Sequence, residues 1–104
     1  MEYLLVITTT PNYRIAQKIC KIILEKSLAS CCQILGPMRS SFLWNKKIER
    51  AKEYLCFIKT TKRNYQQLET IIKDNHPYQI PEIVALKITT GLKEYLDWLN
   101  KPVF

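Results

Sequence analysis

At 104 residues with 47% apolar content, the chain has the size and composition of one domain, 1–104, that folds without covalent staples. No apolar run reaches the ~20 residues of a membrane span, and Arg14, the first basic residue, follows the first apolar run, the reverse of a secretory leader, so a cytoplasmic protein away from membranes is expected. The net charge of +7 favours polyanions, yet its lysines and arginines are dispersed among Glu25, Glu49, Glu53, Glu69 and Asp74, which reads as a solvated surface rather than a nucleic-acid footprint.

Residues 3–8, Tyr-Leu-Leu-Val-Ile-Thr, form a continuous apolar run suited to a strand central in its sheet. Thr10 as N-cap and Pro11 in the first turn then predict a helix over 11–26, with Ile15, Ile19, Ile22 and Ile23 at helical spacing. A strand over 29–35 is interrupted at Gly36-Pro37, because proline has no ladder hydrogen to donate, and resumes over 41–44. Asn45-Lys46 reverses the chain, although Lys is a poorer second turn residue than Gly.

The return strand covers 47–59, with Tyr54 to Ile58 as its buried portion. Thr60 or Thr61 caps a second helix whose apolar face is Tyr65, Leu68, Ile71 and Ile72. A loop from His76 to Glu82 follows, stiffened by Pro77 and Pro81, and holds the only histidine of the chain. A strand over 83–88 and a last helix opened by Thr90-Gly91, with Leu92, Tyr95, Leu96 and Leu99 on one side, complete the order. This is an α+β, ferredoxin-like β-α-β-β-α-β sandwich with a long hairpin between its second and third strands and a C-terminal helix.

The hairpin has a consequence of its own. An arm of roughly 13 residues spans ~43 Å, whereas a domain of this size is only about 34 Å across. The arm must bend at Gly36-Pro37 or protrude, carrying Phe42, Leu43, Trp44 and Ile48 into water. Soluble monomers avoid such exposed edges and apolar surface, so a closed oligomer is expected.

Cys20, Cys31, Cys32 and Cys56 form no C-x-x-C pair, which argues against a disulfide framework and a zinc knuckle. Cys31 and Cys32 point to opposite faces of a strand, and whichever faces outward is the one to test as a soft-metal thiolate.

With these elements placed, the chain resembles the CutA family of divalent-cation tolerance proteins. The matching residues include Leu28-Ala29-Ser30-Cys31, Gly36-Pro37, Ser40, Trp44, Ile58-Lys59-Thr60-Thr61, His76-Pro77-Tyr78, Pro81-Glu82-Ile83, and Gly91 followed by Tyr95, Leu96 and Trp98. The resemblance implies a tight homotrimer whose hairpins extend neighbouring sheets, and a role in divalent-metal tolerance, with copper as the divalent cation described for some members. Copper-binding members look to use a cysteine ending the first strand and two histidines before the proline. The matching positions here hold Thr8, Asn75 and His76, so His76 alone remains as a metal-ligand position. One imidazole with a hydroxyl and an amide is a poor soft-metal set.

The sequence thus nominates His76 for metal, and Thr8, Lys59, Tyr78 and Glu82 as the lining of a ligand cleft between subunits. Glu82 is a partner for backbone amides or for Lys59, and Phe42, Trp44 and Trp98 are packing anchors between subunits. No enzyme is expected, because the single histidine has no Ser or Cys nucleophile near it in sequence. Gly36 and Gly91, the only glycines, exclude a glycine-rich phosphate loop. The competing readings are a small-ligand or signalling trimer resembling PII-type regulators and an RNA-binding domain. The RNA reading would use Tyr3 and Phe57 but lacks the usual aromatic signature. An acylphosphatase-like hydrolase would need an Arg-bearing loop after the first strand, where this chain has Thr8-Thr9-Thr10-Pro11-Asn12.

Overall fold

Strand β1 runs from Tyr3 to Thr10, so its threonines belong to the ladder instead of ending it. The computed structural model describes residues 1–102; positions 103 and 104 of the expected domain lie outside the described residues. Helix α1 covers Tyr13–Glu25, later than the predicted start at 11. Its cap is Asn12, whose side chain accepts the Ile15 amide hydrogen at 2.9 Å. Thr10 is still paired with Tyr54, and its hydroxyl donates to the Asn12 carbonyl, so it braces the cap from the strand.

Strand β2 (Cys31–Trp44) and strand β3 (Lys47–Thr61) form one ladder, joined at Asn45-Lys46. Both turn residues have positive φ, 51° and 62°, the mirror-type turn that matches strand twist. The Gly36-Pro37 interruption is a bulge between Leu35 and Met38, and pairing continues past it to the tip. Helix α2 (Lys62–Asp74) follows Thr61, which occupies the cap position without using its side chain. Strand β4 is Ile83–Lys87, and helix α3 is Lys93–Leu99. That last helix starts after Leu92 rather than at Thr90-Gly91, and no side chain caps it.

The sheet order is β2-β3-β1-β4, all neighbours antiparallel. Leu4 and Val6 on β1, with Cys56 and Ile58 on β3, face Ala16, Ile19 and Ile23 of α1 and Leu68 and Ile72 of α2. Alternation sends Leu5, Ile7, Phe57, Val84 and Leu86 to the opposite face, which neither α1 nor α2 covers. Among the described residues α3 reaches toward it, through Lys59 and Tyr95. Beyond the core the arm projects: every residue from 41 to 50 is exposed, and the molecule measures 45 × 26 × 23 Å. Of the two expected outcomes protrusion is the one observed, with a bulge at Gly36-Pro37. No helix among the described residues is long and apolar enough to cross a membrane.

Candidate functional site

The loop after α2 is fastened at three points, and these create the candidate site. Helix α2 stops because the Asn75 side chain donates to the Ile71 carbonyl at 2.8 Å, so its final carbonyls are satisfied before Pro77. His76 then turns inward. Its Nε2 lies 2.6 Å from the Thr9 carbonyl oxygen, and its Nδ1 lies 3.2 Å from the Tyr78 amide nitrogen. The amide is only a donor, so Nδ1 accepts and Nε2 carries the hydrogen given to Thr9. One tautomer satisfies both contacts.

Tyr78 makes the third attachment. Its hydroxyl donates to the Glu53 Oε2 at 2.8 Å, and its ring lies 4.8 Å from that of His76. Glu53 is only 6% exposed. Its position at the base of the arm corrects the sequence-based placement of this acid on the solvated surface. Burial, then the hydrogen bond to the Glu53 carboxylate and its negative charge, push the Tyr78 phenol up to about 12.

Of the nominated cleft residues, Thr8, His76, Tyr78 and Glu82 lie around the end of β1. Thr8 pairs with Ile83, one residue after Glu82, and its hydroxyl is buried without a hydrogen-bond partner. Glu82 is exposed and enters none of the ion pairs among the described residues. Lys59 stands apart. It pairs with Leu5, four positions along β3 from the Leu55 that opposes Thr9, which is ~13 Å of strand. Its ammonium donates to the Tyr95 hydroxyl at 3.2 Å instead of meeting Glu82.

Sequence reasoning missed Glu53 and the Thr9 carbonyl. The one available signal for Glu53 was an acid at the junction between the exposed arm and the apolar Tyr54–Ile58 stretch. Phe42, Trp44 and Trp98 are 43%, 46% and 53% exposed in the isolated chain, the first two near the tip of the arm and the third on α3 beside Tyr95.

The residues around His76 do not fit a copper ion held by side chains. Both imidazole nitrogens are engaged, Asn75 is spent on its helix, and Thr8 offers a neutral hydroxyl. Among the described residues no three His, Cys, Asp or Glu side chains form a metal-holding group. Of the adjacent cysteines, Cys32 packs on the core and Cys31 takes the other sheet face. The Cys20 thiol is pushed up to about 12, first by its hydrogen bond with the Cys32 thiol and then by burial, so it stays protonated. Nor does His76 face a nucleophile: its two ring nitrogens meet a carbonyl and an amide.

The sequence profile of the CutA1 divalent ion tolerance protein family matches residues 4–102. The divalent-cation tolerance protein CutA of Thermus thermophilus is 38% identical over 92% of this chain and 93% of its own length. The solved structure of the Thermus thermophilus divalent cation tolerance protein superposes with a TM-score of 0.95 at 36% identity, covering 98% of this chain and 99% of that one. A protein solved from Archaeoglobus fulgidus, described as a periplasmic divalent cation tolerance protein CutA, gives 0.90 at 38% identity over 93% and 94% of the two chains.

Proposed function

The chain belongs to the CutA1 divalent ion tolerance family, and from that premise we propose that it acts as a homotrimer whose clefts between subunits hold a small ligand. The observation that carries the trimer is the uncovered apolar face of the sheet. Leu5 pairs with Leu86, Ile7 with Val84 and Phe57, and Leu35 with Leu55, all on the side away from α1 and α2. Val84, Leu86 and Leu35 are 47%, 51% and 64% exposed. Covering such a face stabilises an assembly by ~25 cal/mol per Å² of apolar surface removed from water. The exposed arm, with Phe42 and Trp44, and the α3 residue Trp98 supply further contacts to the same copies.

In this reading the His76–Tyr78–Glu53 latch shapes one wall of each cleft, with Thr8 and Glu82 beside it. Lys59, ~13 Å along its own strand, joins such a cleft from a neighbouring copy. The role is binding rather than catalysis, and the compartment is the cytosol. Copper held by His76 is disfavoured by the engaged ring nitrogens, so tolerance in this chain rests on a ligand or partner other than a side-chain copper site.

Sedimentation equilibrium at micromolar concentration tests the trimer. Three times the 12.3 kDa chain mass is expected. A solitary chain that stays soluble and folded would remove the clefts and the function built on them.

A further inference from the structure

We propose that the base of the arm binds a small, multiply charged oxyanion of the phosphate class, held by Arg39, Arg50 and Lys52. The ladder places Arg39 directly opposite Lys52 and Arg50 opposite Ser41, so the three cations occupy neighbouring positions on one face. All three are exposed. Like charges directly opposite one another destabilise a strand pair, so this arrangement calls for a counter-charge. The described residues do not supply one. Among the described residues the ion pairs are Lys62–Glu2, Lys87–Glu2 and Lys93–Asp97, none on the arm.

The two acids of the same strand are turned away. Glu49 pairs with Phe42 and Glu53 with Met38, which puts both on the opposite face, and the Glu53 carboxylate accepts the Tyr78 hydroxyl. A cavity of about 460 Å³ lies against this segment, lined by Pro37, Met38, Arg39, Arg50, Ala51 and Lys52. The Gly36 bulge begins immediately before it and breaks the regular ladder there. Two guanidinium groups offer paired hydrogens that match oxyanion geometry, and the ammonium adds a point charge. A dianion or trianion neutralises the cluster. A single carboxylate leaves most of it unpaired.

The three cations take the sheet face opposite to Glu53, the arm end of the latch, and their site does not depend on what the cleft holds. Its test is calorimetric titration of the full chain with inorganic pyrophosphate at low salt, repeated on Arg39→Gln, Arg50→Gln and Lys52→Gln. A double variant on α1, Lys18→Gln with Lys21→Gln, controls for overall charge. Saturable binding of one anion per chain is expected, weakened roughly tenfold by each arm substitution and unchanged by the control. Thermal melts give a second readout. Arg39→Gln is expected to raise the anion-free midpoint by relieving the repulsion, and to lose the rise that pyrophosphate gives the parent chain. Equal weakening in the control would reduce the effect to diffuse attraction by a cationic chain and overturn the proposal. So would absent pyrophosphate binding, or arm substitutions that dissolve the assembly without changing anion affinity, since the cations would then serve contacts between copies.

Discussion

The Tyr78 hydroxyl and the Glu53 carboxylate meet at 2.8 Å across 25 positions of sequence, and this contact ties the His-Pro loop to the base of the arm. Hydrogen bonds to charged groups are worth about 1.5–3 kcal/mol, and a buried carboxylate left alone loses more than a solvated one. Tyr78→Phe should therefore lower stability by about 1.5–3 kcal/mol in urea unfolding, and Glu53→Gln by less, because the amide still accepts.

The same contact sets an alkaline response. The Tyr78 phenol is raised from 10.0 to about 12 in the folded chain, so its contribution is complete below pH 10 and is lost as pH climbs toward 12. Burial and Glu69 raise Tyr65 as well. In a Tyr65→Phe background, Tyr78→Phe should flatten the fall in melting temperature between pH 10 and about 12, and remove the latest-ionising phenol from a 295 nm titration. An unaltered slope would sink this assignment.

Gly36 should not tolerate a side chain. Its φ is +155°, and an added Cβ would stand 2.8 Å from the Tyr54 ring and 3.1 Å from the Glu53 carbonyl oxygen. Gly36→Ala is expected to cost about 1–3 kcal/mol, read as a lower urea midpoint.

Lys46 is the opposite case. It sits at φ 62°, a conformation that disfavours a β-carbon by about 1 kcal/mol, in a turn whose preferred partner for Asn is Gly. Lys46→Gly should stabilise the arm by about 0.5–1 kcal/mol, measured as slower hydrogen exchange in the 41–50 amides.

Leu86→Lys separates the lone chain from the assembly. The residue is 51% exposed in one subunit, where an ammonium keeps much of its water, but it lies on the face assigned to contact between copies. Sedimentation should shift from three chains to one, while the far-ultraviolet spectrum keeps its shape. A trimer that survives the substitution places the contact elsewhere.

Copper and zinc titrations of the parent chain and of His76→Ala should coincide, since both ring nitrogens are already engaged. The variant should still lose about 1 kcal/mol of stability with the Thr9 and Tyr78 contacts.

Periodicity made the order of elements legible. Ile15, Ile19 and Ile23 recur on a helix, and the apolar run from Leu4 to Ile7 has the length of a strand. Boundaries were harder. Thr10-Pro11 imitates a cap, but ladder pairing with Tyr54 holds Thr10 in the strand and passes the cap to Asn12. The site was half legible. His76 and Tyr78 stand in a motif, whereas the burial of Glu53 follows from a partner 25 positions later that no local pattern announces. Lys59 was grouped with Glu82 by charge, yet strand register sets it beside Tyr95.

The arm also bears on the first moments of a newly made chain. In the lone chain its tip shows Phe42, Leu43, Trp44 and Ile48 to water on bare backbone edges, a template for clumping with any sticky strand nearby. Lys46, Lys47, Glu49, Arg50 and Lys52 crowd that segment with charge. Such gatekeepers slow indiscriminate pairing and leave the greasy tip available to a matched surface. A variant stripped of them would trade solubility for misassembly.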